Sequence, residues 1–203
     1  MRFLAILMLL AVVPAGAQTR NPAADLKGKL VTVKNKAVQP IDATPITQAK
    51  YIAFYFGAGW CGPCHKFTPD LVAFYNEMKP KHPDFDVVFV SLDHSAAEMQ
   101  NYMNEMSMPW PALRWDAVKT SQAATLCGPG IPSLVVVDNE GRVLSNSFAG
   151  TTYLGPHKVL NDLRNLLTAD TAAVPAATAR PSAAGTPPSP SGTDWDKVFK
   201  KQP

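Results

Sequence analysis

Apolar residues along this chain fall into runs with distinct periods. Residues 51–56 are an unbroken apolar and aromatic stretch, the pattern of a strand covered on both faces. Over residues 63–79 the period changes. Phe67, Leu71, Phe74 and Met78 recur at i, i+4, i+7 and i+11, which gives a helix one apolar face, and Pro69 lies inside it as a kink-former. Residues 85–92 predict a second buried strand. Residues 95–106 predict a helix opened by Ser95 and Glu98 at capping-box spacing, and residues 117–126 predict another helix. Residues 133–137 read as a third strand, 138–141 as a turn and 142–148 as the returning strand. A closing helix is expected over 157–167, with Leu160, Leu163 and Leu167 on one face. Ahead of all these, residues 29–41 suit a short hairpin turning near Lys34, Asn35 and Lys36. Strand, helix, strand, helix implies parallel crossover pairing, and the strand, strand, helix that follows implies an antiparallel hairpin. The expected fold class is α/β: a mixed sheet flanked by helices on both faces, with an N-terminal hairpin extension.

The two ends of the chain follow other patterns. Arg2, an apolar run over 3–13 and the small-x-small sequence Ala15-Gly16-Ala17 read as a signal peptide, residues 1–17. The run is too short to span a bilayer, and no later stretch is long and apolar enough, so no stable membrane insertion is expected after cleavage. The mature chain is expected to be periplasmic or secreted, with its folded domain over 18–167. Ala, Pro, Ser and Thr fill 20 of the 25 positions from 169 to 193. So residues 168–193 are expected to be a disordered linker, with too little to bury to offset the ordering entropy. Residues 194–203 form a short tail motif containing Trp195, Val198 and Phe199, read either as a frayed end or as a tethered docking segment.

Composition narrows the function. Of 203 residues 46% are hydrophobic, enough for one medium domain with its own core, and the net charge of +3 provides no basic face for nucleic acid. The cysteines are Cys61, Cys64 and Cys127. An odd count in an oxidising compartment argues against a purely structural disulfide framework, and a two-residue spacing closes too small a loop to stabilise much. Cys61 and Cys64 therefore read as chemistry.

Cys61-Gly62-Pro63-Cys64 follows a buried strand and opens a helix. The unpaired N–H groups and partial positive charge of a helix N-terminus stabilise a thiolate, the form of cysteine that attacks. Cys61 is the expected exposed nucleophile, and Cys64, one turn inward, the resolving thiol. Gly62 lets the backbone approach a partner, and Pro63 presets the first helical turn. Zinc sites use the same spacing but want a second pair, which the chain lacks, so no metal is expected. Nor is any cofactor expected beyond a redox-active Cys61–Cys64 disulfide.

Trp60 to Cys64, Pro69, and Gly130-Ile131-Pro132 ahead of a strand resemble the thioredoxin superfamily. Longer stretches, Tyr55 to Cys61, Phe67 to Leu71, Asp86 to Asp93 and Met108 to Ala112, resemble its nucleoredoxin and tryparedoxin branch, over roughly residues 26–167. The resemblance implies a thioredoxin-like fold and a cis Ile131–Pro132 peptide beside Cys61. It also implies an Ile131 backbone open to a substrate strand and Trp60 as an apolar docking surface. Trp110 is placed by it near the same face, with Trp110 and Trp115 otherwise reading as core. Thioredoxins usually carry a buried Asp six residues before the first cysteine as proton acceptor for the resolving thiol. Here Tyr55 stands there, so Cys64 must lose its proton to water or another group.

Other readings stay beside this one. His65 completes Cys-x-x-Cys-His, the attachment pattern of c-type haem; under the thioredoxin reading it is an exposed helix residue that adds charge near the thiolate at low pH. Cys127 is either an idle thiol or a third redox cysteine. His94 reads as a solvated loop histidine. Two function classes follow. One is an enzyme, a thiol–disulfide oxidoreductase acting on protein clients and fed by a membrane or soluble thiol donor. The other is a redox-sensitive binding module with little turnover.

Overall fold

The computed structural model describes residues 21–34 and 36–173. The expected signal peptide, Asn35 of the hairpin turn, most of the expected linker and the tail motif lie outside these residues. In chain order the elements are β1 (Leu30–Lys34), β2 (Ala37–Pro40), α1 (Thr44–Thr47), β3 (Tyr51–Gly57), α2 (Gly62–Met78), β4 (Phe85–Ser91) and α3 (Ala96–Glu105). They continue with β5 (Ala112–Leu113), β6 (Ser133–Asp138), β7 (Val143–Asn146), β8 (Phe148–Ala149), β9 (Thr152–Tyr153) and α4 (Pro156–Ala173).

Seven of the strands form one mixed sheet in the order β2-β1-β5-β4-β3-β6-β7. β3 lies inside it, parallel to β4 and antiparallel to β6, with Phe54 between Val88 and Val135. That position explains its composition: all seven residues are buried, and a strand enclosed on both faces favours apolar and aromatic side chains. Alternation then divides the core. Tyr51, Ala53 and Tyr55 join one cluster with Phe67 and Leu71 of α2, Met99 and Tyr102 of α3, and Leu163 of α4. Ile52, Phe54 and Phe56 face a second cluster with Val88, Val135, Leu26, Ile46 and Ala123. Helical segments cover both faces as expected, but unequally. The long helices lie on one face and short turns on the other.

The N-terminal hairpin pairs Lys34 with Ala37 and joins the main sheet because β1 also pairs with β5. Ser95 caps α3, its Oγ accepting from the Glu98 N–H at 3.1 Å. The Glu98 carboxylate reaches back to the His94 N–H at 3.0 Å, one residue beyond the N-cap N–H that a reciprocal capping box would use. Trp110 is fully buried, edge-on to Tyr75 at 5.5 Å. It is core, and not part of the face the resemblance assigned it.

Three expectations change. The helix over 117–126 is two 3-10 turns, Trp115–Thr120 and Gln122–Leu126, separated by Ser121 in extended backbone. The strand over 142–148 is interrupted at Ser147, whose Oγ bonds across to the Leu134 backbone, and Phe148 begins a separate hairpin of β8 with β9. The closing helix runs on to Ala173, past its expected end at Leu167. Thr168 returns its hydroxyl to the Arg164 carbonyl at 2.9 Å, and Asp170 pairs with Lys50 at 2.7 Å. These contacts hold a turn that composition alone assigns to the linker. Among the described residues no helix is long and apolar enough to cross a membrane.

Candidate redox site

The site lies where β3 ends at the carboxyl edge of the sheet. After Gly57 the chain leaves the sheet and turns into α2 with Cys61 as its N-cap, in extended backbone at φ −91° and ψ 101°. The Cys61 Sγ accepts from the Cys64 N–H at 3.2 Å. The sulfur thus occupies the place of a capping oxygen, where unpaired donors and the helix dipole favour negative charge. Cys61 and Cys64 form a disulfide, with Cα atoms 5.2 Å apart.

The Ile131–Pro132 peptide is cis, and the Ile131 carbonyl oxygen lies 3.8 Å from the Cys61 Sγ. Seventy residues of chain separate these groups, and the fold closes that distance by making β6 the direct neighbour of β3. Trp60 is 57% exposed. Its ring stacks on His94 with centroids 5.9 Å apart, and its Nε1 donates to the Leu92 carbonyl at 3.3 Å. Gly62 and Pro63 are exposed, and a Cβ at Gly62 would meet nothing within 4 Å, which leaves that surface open. All the expected site residues, Trp60, Cys61, Gly62, Pro63, Cys64, Ile131 and Pro132, therefore lie together at one end of the sheet.

Two expectations about accessibility are corrected. Cys61 is only 5% exposed, because the loop carrying Ile131 lies against its sulfur; Cys64 is fully enclosed. His65 is half-buried. Its Nε2 bonds the Gly59 carbonyl at 2.6 Å, its ring packs on Tyr102 at 5.0 Å and its Nδ1 is 3.6 Å from the Glu105 carboxylate. The first turn of α2 lies against α3, which covers part of that side chain.

Beneath Cys64 lies a hydroxyl cluster that the sequence reading missed. Thr68 Oγ1 donates to the Cys64 carbonyl at 2.8 Å. Its single proton is thereby used, so the Tyr55 and Tyr102 hydroxyls, each 2.7 Å away, both donate to it. Burial, together with the neighbouring Tyr102 phenol, pushes the Tyr55 hydroxyl well above the ordinary tyrosine range, and burial raises Tyr102 too. Both remain protonated at neutral pH and take no proton from Cys64. The position where a thioredoxin Asp is expected thus holds a satisfied structural donor.

Asp93 is a second missed residue. It is buried, accepts the Gly59 N–H at 2.7 Å and the Ser91 hydroxyl at 2.7 Å, and so fixes the loop that delivers Trp60 and Cys61. Its position directly after a buried strand is the one sequence signal that marks it. Trp115 donates from Nε1 to the Asp93 carbonyl at 2.9 Å, on the far side of the same loop. Cys127 is half-buried, and burial pushes its thiol up. That lowers its thiolate fraction at neutral pH and makes it the poorer nucleophile.

A family model described as thioredoxin-like matches residues 48–143. The chain is 35% identical to the nucleoredoxin of Danio rerio over 126 residues, 61% of this chain and 28% of that protein. It thus spans less than a third of the length of that relative. Tryparedoxin II from Crithidia fasciculata is similar in structure at a TM-score of 0.54 and 26% identity, over 70% of this chain and 90% of the other. A thioredoxin from Wuchereria bancrofti superposes at a TM-score of 0.52 and 27% identity, over 70% and 97%.

Proposed function

We propose that the chain carries a thioredoxin-like domain of the nucleoredoxin and tryparedoxin branch, as the matches to both support, and that it is an exported oxidoreductase that reduces protein disulfides through Cys61 and Cys64. The observation that carries this reading is the Cys61 sulfur at the N-cap of α2, accepting the Cys64 N–H at 3.2 Å and facing the Ile131 carbonyl at 3.8 Å.

In the reduced form the Cys61 thiolate attacks one sulfur of a client disulfide. A Cys61–client bond forms, the client S–S bond breaks, and the departing thiolate takes a proton. Cys64, deprotonated to water or another acceptor, then attacks the Cys61 sulfur. The second client sulfur leaves as a thiol, and the Cys61–Cys64 disulfide closes. Two electrons pass from the pair to the client, and a thiol donor outside the cytoplasm, membrane-bound or soluble, returns them. The Ile131 backbone and the exposed Trp60 ring are the surfaces that align a client strand. Export rests on the amino-terminal pattern of residues 1–17.

Insulin separates this reading from that of a binding module. With dithiothreitol as donor, catalytic amounts of the full chain should shorten the lag before the insulin B chain precipitates, in proportion to the amount of chain added. A lag unchanged from dithiothreitol alone, with the pair reduced, would leave the cysteines as a redox-sensitive binding feature and overturn the enzymatic reading.

A further inference from the structure

A cavity of about 650 Å³ opens beside the loop that follows β4, and the redox chemistry makes no use of it. Leu92, Trp115 and Val118, each half-buried, give it an apolar wall. The Trp115 indole is fixed by its Nε1 bond to the Asp93 carbonyl at 2.9 Å, so that wall is formed in advance. His94, which stacks on the Trp60 ring at 5.9 Å, lines the cavity too and joins it to the redox loop. At the rim Asp116 is already engaged by Arg114. Lys119, also at the rim, is exposed and makes no ion pair among the described residues. The volume falls within the roughly 300–1,000 Å³ of a ligand site and has room for two aromatic side chains.

The chain itself carries a segment of matching chemistry that neither the core nor the redox pair uses. Trp195, Val198 and Phe199 stand at i, i+3 and i+4, the spacing that brings apolar side chains to one face of a helix seated in a groove. Asp194 and Asp196 flank the indole and are opposite in charge to Lys119. The connection is also long enough. Asp170, near the end of α4, pairs with Lys50, the residue before β3, so α4 ends close to the amino end of β3. The cavity lies at the other end of the sheet, because Ser91 lines it and stands opposite Gly57 at the close of the parallel β3–β4 pair. A strand of this length covers about 20 Å. Residues 174–194 join α4 to Trp195, and a flexible chain of about 20 residues has a root-mean-square span of about 25 Å. A segment tethered at its natural span meets the cavity at an effective concentration of the order of a millimolar. A separate partner of equal affinity would need that concentration in solution to compete.

We propose that this cavity is the docking site of the chain's own segment 194–199, seated in cis, with the Trp195 and Phe199 rings against Leu92, Trp115 and Val118 and the carboxylates beside Trp195 toward Lys119. The rings gain by leaving water, and the charges fix which way the segment lies. Docking holds the segment beside the Trp60–His94 stack, at the edge of the redox site.

The test is amide hydrogen exchange on the full chain, read by mass spectrometry over residues 194–199 and over the cavity segment 115–120. With an effective concentration of about a millimolar, a segment affinity of about a tenth of a millimolar keeps roughly nine chains in ten docked. Residues 194–199 should then exchange about tenfold more slowly than in a synthetic peptide of the same sequence. Trp195→Ser, a change outside the core, should return them to the peptide rate and quicken exchange over 115–120. Lys119→Glu, on an exposed side chain, should bring the slowing down to about threefold, since an exposed ion pair contributes at most about a fivefold factor. Adding Asp194→Lys and Asp196→Lys to that variant should restore it. Exchange of 194–199 at the peptide rate in the wild-type chain overturns the docking. Slowing that leaves 115–120 indifferent to Trp195→Ser overturns this cavity as its site. Slowing that disappears on tenfold dilution places the segment in a second copy and overturns docking in cis.

Discussion

Replacing Cys61 with serine should remove disulfide reduction altogether, and replacing Cys64 should leave the protein stuck to its clients. The two cysteines occupy unlike positions. The Cys61 sulfur caps α2 and faces the Ile131 carbonyl, whereas Cys64 is fully enclosed in the first turn above the Thr68 hydroxyl. Only Cys61 is placed to meet a client sulfur, and a serine hydroxyl there has no useful ionisation at neutral pH. The expected loss in Cys61→Ser is at least about a thousandfold, because no neighbouring group substitutes for a missing nucleophile. Cys64→Ser keeps the attack but loses the escape. It should accumulate mixed disulfides that run as discrete bands on a non-reducing gel and collapse with dithiothreitol. The bands should vanish in the double variant. Bands that persist without Cys61 would reverse the assignment of roles or bring Cys127 into the reaction.

Thr68→Val should destabilise the domain by about 1–3 kcal/mol, the cost of leaving one buried hydroxyl without an acceptor. Thr68, Tyr55 and Tyr102 are all buried, and the arrangement has no spare capacity: one oxygen accepts from two phenols and gives its own proton to the Cys64 carbonyl. Valine fills the same volume and deletes the acceptor. The phenol oxygens are 3.3 Å apart, so one can turn to the other, and a single buried donor is left over. Thr68→Ser keeps the oxygen and loses one methyl group, so about 1 kcal/mol is expected. Urea unfolding at constant m-value measures both. A Thr68→Val midpoint equal to wild type would show that water already reaches the cluster.

How much of this was legible in the sequence depended on the range of the forces involved. β3, β4 and β6 were legible because strands buried on both faces carry runs of apolar residues, and α2 because one helix face repeats in register with the core. Ser95 announced α3 by a local cap. The segment over 117–126 has helical composition, yet its rise is broken at Ser121. β5, β8 and β9 are two-residue strands that exist only through their partners and leave no period of their own. The reacting pair and the Ile131–Pro132 segment were visible because chemistry requires those residues in a fixed local order. Asp93 against Gly59, 34 residues apart, and Tyr153 against Pro132, 21 apart, were not. Each residue is ordinary by itself and acquires its role only when the sheet brings it to its partner. The exposure of Cys61 and His65 was misjudged for the same reason, because what covers them comes from a distant loop and a neighbouring helix.

The reduction potential of the Cys61–Cys64 couple tests the central claim most directly. Equilibrating the full chain in graded dithiothreitol buffers, and counting free thiols at each poise, should give one reversible two-electron transition near −270 mV, the value of a reducing thioredoxin. That result makes the pair a donor of electrons to client disulfides. A midpoint above about −180 mV, the isomerase range, would contradict the account, since the pair would then sooner take electrons from client thiols than reduce client disulfides.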